Sequence, residues 1–594
     1  MCGIVGCFAK ERCYERLFGA LLRLEYRGYD SAGIAVLRRE EGCGGRVSLR
    51  KRKGGVARLA GERLEGDVGI GHTRWATHGR PSDVNAHPHC SGKFALVHNG
   101  IVENCAALRE ELAKEGVRFV SETDSEVIVR LIDRAYRGNF FAAVCEACAR
   151  VEGAFAIAVL CEDFPGELIC ARRGSPLIAA AGGGALYVCS DIPALDDADF
   201  ICPMQDGEFV RIRDGAMWFL DGEGNVIPKT FTRPPVCARL RERSAKSCME
   251  EEIFEIPRAL SDTLAGMRET DFAPAARVLR AAKRVFAVAC GTAYHAALLF
   301  KDVLERDARI PVLCQPASEF RCRDPLAGEG DVVVAVSQSG ETADTLAAAR
   351  LARGRGAFVV CVTNVACSTL ARESDFVLAM CAGPEIAVAA TKSYNCQILC
   401  LYYLAAMVCF YKFCDFPAWF SALDSLPAAA AQTFSLFPQM HSLANSLRGV
   451  RALYFIGRGE DVRTAREGAL KVKEIAYVFA EGYAAGELKH GTLALIEEGF
   501  PVFALSTKAE LLKKTESALE EVRSRGGLTV LFSQYAEALE SSCADVCVRL
   551  PEADERLMPL LSVIPLQYFA CSMCLLRGYD PDRPRNLAKS VTVE

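Results

Sequence analysis

The stretch GDVVVAVSQSGETADTLAAARLARG, residues 330–354, decides how the second half of the chain folds. It contains VVVAV, a short, wholly apolar run rich in β-branched residues, which is typical of a buried strand. A turn rich in Ser and Gly follows, and TADTLAAARLARG then has the composition of a helix. We therefore predict a strand–turn–helix unit whose turn lies at the carboxyl end of a parallel strand, where such sheets bind ligands.

The same plan recurs on either side of this stretch. RVFAVACGTAYHAALLFKDVL (284–304) precedes it, and RALYFIGRGEDVRTAREGALKVKE (451–474) repeats it further along the chain. Two successive α/β domains with parallel sheets follow from this repeat, and we expect them at residues 250–424 and 425–585.

The first half of the chain has a different pattern. Short β-rich runs alternate with Gly, Asp and Asn turns, and two helical stretches, CYERLFGALLRLEY and CAALREELAKEG, interrupt them. We predict an α+β layered domain at residues 1–228. Residues 229–249 are charged, carry two adjacent prolines and lack periodicity, so we interpret them as a linker. Residues 586–594 form a separate C-terminal tail in this division.

Bulk properties exclude several classes of protein. At 594 residues the chain is too long for one core, and a net charge of −5 provides no basic footprint for nucleic acid. The longest apolar run, 398–411, is too short to span a bilayer, so we expect a buried helix and no membrane. No signal peptide precedes the 28 cysteines, which favours free thiols in a reducing cytoplasm.

The loop SQSGET (337–342) could bind an anion. Ser337, Ser339 and Thr342 supply hydroxyls, Gly340 permits close backbone approach, and the start of a helix presents free N–H groups. The loop lacks the Gly-Lys-Ser/Thr of a nucleotide-binding loop, which favours a phosphorylated small molecule over ATP. The alternative is an ordinary N-capped turn, in which Ser and Thr are equally common.

Further polar groups lie near the chain's end. Glu467, Lys471 and Glu474 share one helix face, which indicates either a reactive cluster or a solvated, ion-paired face. His490 lies in the glycine-rich loop GYAAGELKHG and could shuttle protons or be a surface residue. Lys589, in the tail RPRNLAKSVTVE, could form a Schiff base or belong to a frayed terminus.

Five of the eight histidines cluster at positions 72, 78, 87, 89 and 98. Their irregular spacing and their Asn, Thr and Arg neighbours make a metal site a poor interpretation, and a recognition pocket a better one. Arg74 could hold a carboxylate by two bonds and Asp124 an ammonium. Asn99 and the Gly100 N–H could form an oxyanion hole.

These groups suit a free amino acid attacked by Cys2. If Met1 is removed, Cys2 carries an α-amine with a pKa of about 8, which can accept the proton of its own thiol. The alternative is that Cys2 begins a β-strand and is simply buried, as most lone cysteines are.

A set of motifs in one order closely resembles the glutamine–fructose-6-phosphate aminotransferases (isomerizing), also called glucosamine-6-phosphate synthases. The motifs are MCGIVG, LEYRGYDSAG, HTRWATHG, NAHPH, VHNG, SETDSE, CGTAYH, SQSGETADT, GELKHG and NLAKSVTVE. The resemblance implies an N-terminal nucleophile (Ntn) glutaminase sandwich followed by two sugar isomerase (SIS) domains. It implies transfer of the glutamine amide nitrogen to fructose 6-phosphate, giving glucosamine 6-phosphate and glutamate, with no metal or other cofactor.

On the glutamine side, the resemblance implies Cys2 as the nucleophile, an oxyanion held by Asn99 and Gly100, and Trp75 as the gate of an ammonia tunnel. The glutamine-binding residues would be Arg74, Thr77, His78, His87 and Asp124.

On the sugar side, the resemblance implies a Schiff base at Lys589, proton transfer between C1 and C2 by Glu474 with support from Lys471, and ring opening by His490. His490 would come from the other subunit of a homodimer. The sugar-phosphate-binding residues would be Thr292, Ser337, Gln338, Ser339, Thr342 and Ala588. Ala293 and Ala390 stand where the family has serine, so we expect weaker phosphate binding by about 0.5–1.5 kcal/mol for each lost hydroxyl.

Two other functions fit part of this pattern. A glutaminase could serve a different acceptor, but this would require a pyrophosphate-binding or ATP-binding loop that the second half does not show. A sugar-phosphate sensor without turnover would not need Glu474, His490 and Lys589. Product analysis with glutamine and fructose 6-phosphate distinguishes all three.

Overall fold

The structure, a computed structural model, describes residues 2–40, 44–61, 63–234, 247–540 and 543–592. The chain divides into two compact units, Met1–Arg241 together with Ala588–Glu594, and Glu242–Leu587. Most of the predicted linker 229–249 lies outside the described residues, as do the last two residues of the predicted tail. The proposed domain boundaries therefore stay predictions.

The first unit is built from antiparallel strands and a few helices. Its strands are β1 (Gly3–Ala9), β2 (Ser31–Glu40), β3 (Gly44–Lys53), β4 (Val68–Arg74), β5 (His89–Ser91), β6 (Phe94–Gly100), β7 (Phe155–Cys161), β8 (Glu167–Arg173), β9 (Ile178–Gly182), β10 (Ala185–Cys189), β11 (Phe200–Pro203), β12 (Phe209–Arg213) and β13 (Ala216–Leu220). Its helices are α1 (Cys13–Leu24), α2 (Cys105–Lys114), α3 (Ser125–Ala135) and α4 (Phe140–Arg150).

These strands form two sheets that pack face to face. One has the order β11-β9-β10-β1-β4-β2-β3 and the other the order β13-β12-β8-β7-β6-β5. Successive side chains of a strand point to opposite faces of its sheet. Each strand therefore contributes alternately to two cores, one between the sheets and one under the helices. On β6, for example, Ala95 and Val97 lie in the core between the sheets, whereas Phe94 and Leu96 pack under the helices. The result is the layered α+β sandwich that the sequence predicts.

Among the described residues of this unit, two of the four α-helices are predicted from the sequence. CYERLFGALLRLEY and CAALREELAKEG correspond to α1 and α2, but α3 and α4 were not identified. The start of α3 lies inside the polar motif SETDSE, whose residues suggest a binding site and do not show the apolar periodicity of a helix. Seven residues of α3 are buried beneath the second sheet, so tertiary packing stabilises it.

The second unit contains two parallel five-stranded sheets. Its strands are β14 (Val285–Ala289), β15 (Val312–Pro316), β16 (Val332–Val336), β17 (Phe358–Thr363), β18 (Phe376–Ala379), β19 (Ala452–Gly457), β20 (Phe479–Ala484), β21 (Pro501–Leu505), β22 (Leu528–Ser533) and β23 (Val546–Arg549). The sheet orders, β15-β14-β16-β17-β18 and β20-β19-β21-β22-β23, correspond strand by strand. This confirms the predicted pair of α/β domains.

Helices cover both sheets. They are α5 (Cys248–Phe254), α6 (Ile256–Glu269), α7 (Ala273–Ala281), α8 (Gly291–Val303), α9 (Ala317–Cys322), α10 (Ala343–Gly354), α11 (Thr369–Glu373), α12 (Lys392–Phe413), α13 (Leu426–Gln432), α14 (Phe437–Ser446), α15 (Asp461–Lys471), α16 (Leu512–Arg523), α17 (Ala536–Glu540) and α18 (Met558–Leu576). The duplication extends to local detail. Both α8 and α15 continue into a π-helical turn, Leu304–Ala308 and Val472–Ala476, and each turn ends at a left-handed residue, Arg309 and Tyr477.

Two helices, α12 and α18, are long and apolar enough to cross a membrane. In their most apolar windows, however, 72% and 83% of the residues are buried against the rest of the protein, as in core helices. The apolar run 398–411 is thus part of a buried helix, as predicted. The helix has 22 residues because polar residues such as Lys392, Ser393 and Asn395 extend it and are themselves buried.

Four buried histidines lie where the two sheets of the first unit meet. His72 of β4 stacks on His87, with 4.0 Å between ring centroids, and His87 meets His89 edge-on. His98 of β6 donates its backbone N–H to His87 Nδ1 (3.2 Å). Burial lowers the pKa of all four, that of His72 to about 3, so the cluster is neutral in the folded chain.

We predict that acid destabilises the first unit through this cluster. Each imidazole has a lower pKa when folded than its unfolded value of about 6.5, so the unfolded chain binds more protons below that pH. The histidine contribution to the free energy of unfolding should be constant above pH 6.5 and fall as the pH drops, with His72 alone costing about 2 kcal/mol at pH 5.

Urea unfolding followed by fluorescence from pH 7.5 to pH 5 measures this loss. His89→Gln removes one titrating ring and keeps a donor for Thr123, so its slope between pH 6.5 and pH 5 should be smaller than that of the wild type. An identical slope in the variant would contradict the assignment.

Candidate functional site

Cys2 lies at the start of β1, between two neighbouring strands of its sheet. The following residues are completely paired, Gly3–Phe8 with β4 and Val5–Ala9 with β10, which fixes the direction of the chain at Cys2. Its Sγ accepts the backbone N–H of Trp75 (3.3 Å), just beyond the end of β4. Burial raises the pKa of the Cys2 thiol, so it is protonated near neutrality and needs a base to become a nucleophile.

Asn99 faces the same point from the other sheet. Its Nδ2 donates to the Cys2 carbonyl (2.8 Å) and its Oδ1 lies 3.0 Å from His72 Nε2. His72 Nε2 is also 3.0 Å from the His98 carbonyl. The His98 carbonyl oxygen and Asn99 Oδ1 can only accept hydrogen bonds, so His72 Nε2 must carry the proton. This bond fixes the orientation of the Asn99 amide, whose NH₂ group therefore points towards Cys2. Asn99 can therefore donate to an oxygen that develops charge beside the thiol.

At position 100, next to Asn99, the backbone conformation requires a glycine. Its φ of 143° lies in a region that favours glycine, and an added Cβ would meet the Ala154 carbonyl oxygen at 2.0 Å. The position therefore excludes every side chain.

Arg74 and Asp124 are charged groups buried beside this centre. Arg74 Nη2 donates to the carbonyls of His78 and Gly79, whereas Nη1 is buried and has no hydrogen-bond partner among the described residues. Burial lowers the pKa of Arg74, so a carboxylate ligand would relieve an unfavourable charge. Asp124 accepts the N–H of Val102 (2.9 Å) and keeps oxygen capacity for a further donor.

The remaining predicted glutamine-side residues differ in exposure. Thr77 and His78 are exposed in the segment after β4, close in sequence to Arg74. Trp75 is half-buried and meets the Tyr29 ring edge-on at 5.6 Å. His87, by contrast, is buried within the histidine cluster, where its ring stacks on His72, which in turn orients Asn99. The described residues contain no group of three or more side chains placed to hold a metal ion.

In the second unit, the loop 337–342 connects β16 to α10. Gly340 has a φ of +63°, and a Cβ there would lie 2.0 Å from Ser368 Oγ. Ser337 Oγ accepts the Gly340 N–H (3.1 Å) and bonds Thr342 Oγ1 (3.0 Å), and the Gln338 carbonyl accepts the Asn364 N–H (3.0 Å). The loop is therefore tightly constrained.

The ordinary N-capped turn does not describe this loop. Thr342 occupies the N-cap position of α10, but its hydroxyl bonds Ser337 and makes no side-chain cap. Cys290, at the N-cap of α8, makes none either. Since β14 and β16 are neighbours, the starts of α8 and α10 lie at the same edge of the sheet, and two helix N-termini of this kind suit a phosphate.

Lys471 lies fully buried beside the start of α8. Its Nζ donates a hydrogen bond to Thr292 Oγ1 (2.9 Å) and forms ion pairs with Glu467 Oε1 (3.3 Å) and Glu474 Oε2 (2.6 Å). Burial alone would lower the pKa of Lys471, but the two carboxylates raise it, so the side chain is a cation. The solvated-face interpretation is wrong, because Glu467 and Lys471 are completely buried.

Glu474 lies in the π-helical turn Val472–Ala476 rather than in the α-helix itself. Such turns are rare and occur often at functional sites. His490 ends a short 3₁₀ helix and is exposed. Ala588 and Lys589, in the tail, are both half-buried.

Two residues that complete these sites, Asp30 and His295, were not predicted from the sequence. In the first unit, Asp30 accepts the Ala76 N–H (2.9 Å) and fixes the segment after Arg74. In the second, Glu467 accepts Thr292 Oγ1 at one oxygen (3.0 Å) and lies 2.7 Å from His295 Nδ1 at the other. The four-residue spacing to Lys471 indicated Glu467, but nothing in the sequence pairs it with His295, 172 positions away.

Known protein families match separate parts of the chain. Residues 72–197 match the glutamine amidotransferase domain, and residues 278–407 and 446–577 each match the SIS domain. A solved structure, the C-terminal domain of glucosamine-fructose-6-phosphate aminotransferase from Francisella tularensis, covers 58% of this chain with its whole length at 33% identity and a TM-score of 0.56.

Relatives also match from end to end. Proteins named glutamine–fructose-6-phosphate aminotransferase [isomerizing] from Symbiobacterium thermophilum, Caldanaerobacter subterraneus and Thermococcus kodakarensis are 46%, 42% and 42% identical, over 100% of both chains in each case. The chain therefore belongs to the glutamine–fructose-6-phosphate aminotransferase (isomerizing) family.

Proposed function

We propose that this protein transfers the amide nitrogen of L-glutamine to fructose 6-phosphate and isomerises the product to glucosamine 6-phosphate, releasing glutamate. The observation that carries the proposal is the presence of two centres on one chain. Cys2, at the start of β1, accepts a hydrogen bond from the Asn99 amide at its carbonyl, and the ion pair of buried Lys471 with half-buried Glu474 lies beside the uncapped start of α8. The first centre suits amide cleavage, and the second suits proton transfer on a sugar phosphate.

At the first centre, removal of Met1 would give Cys2 an α-amine that takes the proton of its own thiol. The sulfur attacks the glutamine amide carbon, and Asn99 and Gly100 stabilise the oxyanion. The C–N bond then breaks, the amine's proton goes to the departing ammonia, and water releases glutamate from the thioester. Arg74 holds the α-carboxylate and Asp124 the α-amine, with Thr77, His78 and His87 completing the pocket.

At the second centre, the loop residues Ser337, Gln338, Ser339 and Thr342 bind the phosphate, together with Thr292 and the backbone at Ala588. His490, from the other subunit of a homodimer, opens the sugar ring. Lys589 forms a Schiff base at C2, ammonia replaces the lysine, and Glu474 moves a proton from C1 to C2. Trp75 gates the internal passage of ammonia, which keeps water from competing.

A cytoplasmic location fits the thiols. Every cysteine among the described residues is free, and disulfides are rare in reducing compartments. Glucosamine 6-phosphate produced there would be the entry compound of amino-sugar synthesis.

We expect Cys2→Ala to abolish glutamine hydrolysis and glutamine-dependent synthesis, while isomerisation of fructose 6-phosphate continues at the wild-type rate. Alanine at position 2 still permits removal of Met1, so only the sulfur is lost. Glutamate, amino sugar and aldose are measured separately, with Cys90→Ala, at an exposed thiol, as the control. Simultaneous loss of both activities would contradict two separate centres.

Lys589→Ala should remove amino-sugar formation and leave hydrolysis of glutamine intact. Borohydride treatment of the wild type with fructose 6-phosphate should attach the reduced sugar to the peptide containing Lys589, as mass spectrometry can detect. Lys513→Ala, at an exposed lysine of α16, serves as the control. Continued synthesis by Lys589→Ala would show that another group carries the sugar.

Gly340→Ala should raise the KM for fructose 6-phosphate by at least about tenfold, because the new methyl would collide with Ser368 and displace the phosphate loop. Gly449→Ala, where a Cβ meets nothing within 4 Å, is the matched control. Steady-state kinetics measure both, with a circular dichroism spectrum and a thermal unfolding transition like those of the wild type as the test that each variant is folded. An unchanged KM in Gly340→Ala would mean that the phosphate is bound elsewhere.

A further inference from the structure

The contact between α8 and α15 places a histidine on the buried carboxylate behind the proposed isomerising centre. Thr292 and His295 are three residues apart on α8 and therefore share a face. Thr292 Oγ1 donates to Glu467 Oε1 (3.0 Å), and His295 Nδ1 lies 2.7 Å from Glu467 Oε2. Side chains of the first α/β domain thus meet both oxygens of one carboxylate of the second domain.

Glu467 depends on these donors because it is completely buried. A carboxylate without water requires a hydrogen-bond donor at each oxygen. Oε1 receives the Thr292 hydroxyl and the Lys471 ammonium, whereas His295 is the donor that the described residues provide to Oε2. Since Oε2 can only accept, Nδ1 of His295 must carry a proton. Burial would raise the pKa of Glu467, but Lys471 and the hydrogen bond from His295 lower it, so the carboxylate is charged.

The same ammonium is shared between two carboxylates. Lys471 Nζ is closer to Glu474 Oε2 (2.6 Å) than to Glu467 Oε1 (3.3 Å). If Oε2 of Glu467 lost its donor, the charge on Glu467 would have only Thr292 and Lys471 to stabilise it. Lys471 would then be drawn towards Glu467, and its contact with Glu474 would weaken.

We propose that His295 is a positioning residue for the isomerising step: its Nδ1–H satisfies Glu467, and Glu467 thereby leaves the Lys471 ammonium placed against Glu474. The proposal rests on the proposed function, in which Glu474 moves the proton between C1 and C2. His295 acts through Glu467 and Lys471. It therefore affects the rate of proton transfer and does not affect binding of the phosphate by the loop 337–342.

Two substitutions of similar size separate hydrogen bonding from packing. In His295→Asn the amide nitrogen can take the place of Nδ1 and donate to Glu467. His295→Leu fills the space without a donor. The matched control is His441→Asn, at an exposed histidine of α14. All are made in the full-length enzyme.

The measurements are kcat and KM for isomerisation of fructose 6-phosphate and for synthesis of glucosamine 6-phosphate. His295→Leu should lose about tenfold to a hundredfold in kcat, with the KM for fructose 6-phosphate changed less than about threefold. His295→Asn should retain kcat within about threefold of the wild type, and His441→Asn should match it. Hydrolysis of glutamine should continue in every variant, because it takes place in the first unit. A circular dichroism spectrum and a thermal unfolding transition like those of the wild type show that the second unit is folded.

A wild-type kcat in His295→Leu would overturn the inference, as would equal losses in the leucine and asparagine variants. A rise in KM alone would also overturn it, because that would place His295 in sugar binding. If His295→Leu fails to fold, His295→Ala takes its place under the same criteria. If the wild type makes no amino sugar, the proposed function itself is refuted. If the wild type and His295→Leu both make amino sugar at the same rate, only this inference is refuted.

Discussion

The charge of the Lys471 ammonium must be balanced inside the protein, and much of the second unit is organised around that requirement. A cation with no access to water is stable only when acceptors surround it, and removing one partner of a buried pair costs about 3–5 kcal/mol. The second α/β domain provides Glu467 and Glu474, and the first provides Thr292. The Lys471 group is therefore one ionic link between α8 and α15, and Arg463 with Asp302 (2.9 Å) is another. Some of the side chains that join the two domains are thus ones that would act on the sugar.

The duplication of the α/β domain explains why one of the two sheets is the better place for a phosphate. In the first domain, α8 and α10 begin without side-chain caps at the edge where β14 and β16 end. In the second, the corresponding edge satisfies its own polar groups: Asp461 accepts the N–H and hydroxyl of Thr507, and Glu460 pairs with Lys508 at 2.6 Å. A carboxylate that lies at the helix start and is bonded to the segment after β21 excludes an incoming anion by repulsion. In the proposed function, one copy of the duplicated fold would thus bind the phosphate, and the other would supply the acid–base groups.

Sequence patterns predicted the parts of this protein that depend on local order, and failed where distant residues meet. The apolar run VVVAV and the Ser/Gly turn after it specify β16 and its loop, because burial on both faces leaves a continuous hydrophobic signal. The helix α3 was missed because its polar start was interpreted as chemistry alone. The pairing of His295 with Glu467 spans two domains and leaves no periodic trace. The π-helical turn at Glu474 could not be predicted either. It is a small distortion of a regular helix, and the packing around the helix determines where it forms.

The surroundings of Cys2 explain why an N-terminal nucleophile suits this centre. Burial raises the pKa of the thiol, so a base is required, and three histidines lie nearby: His72 in β4, His98 in β6, and His87, which stacks on His72. His72 and His98 have their pKa lowered by burial, and His72 already uses its proton to orient Asn99. His87 is also held neutral by burial. Protonation of any of these rings would cost free energy, because each would become a buried cation, and Arg74 adds charge repulsion at His72 and His87. An α-amine on the same residue, with an ordinary pKa of about 8, gains the proton without adding a second buried base. The cluster can then remain neutral and rigid, which is what the orientation of Asn99 requires.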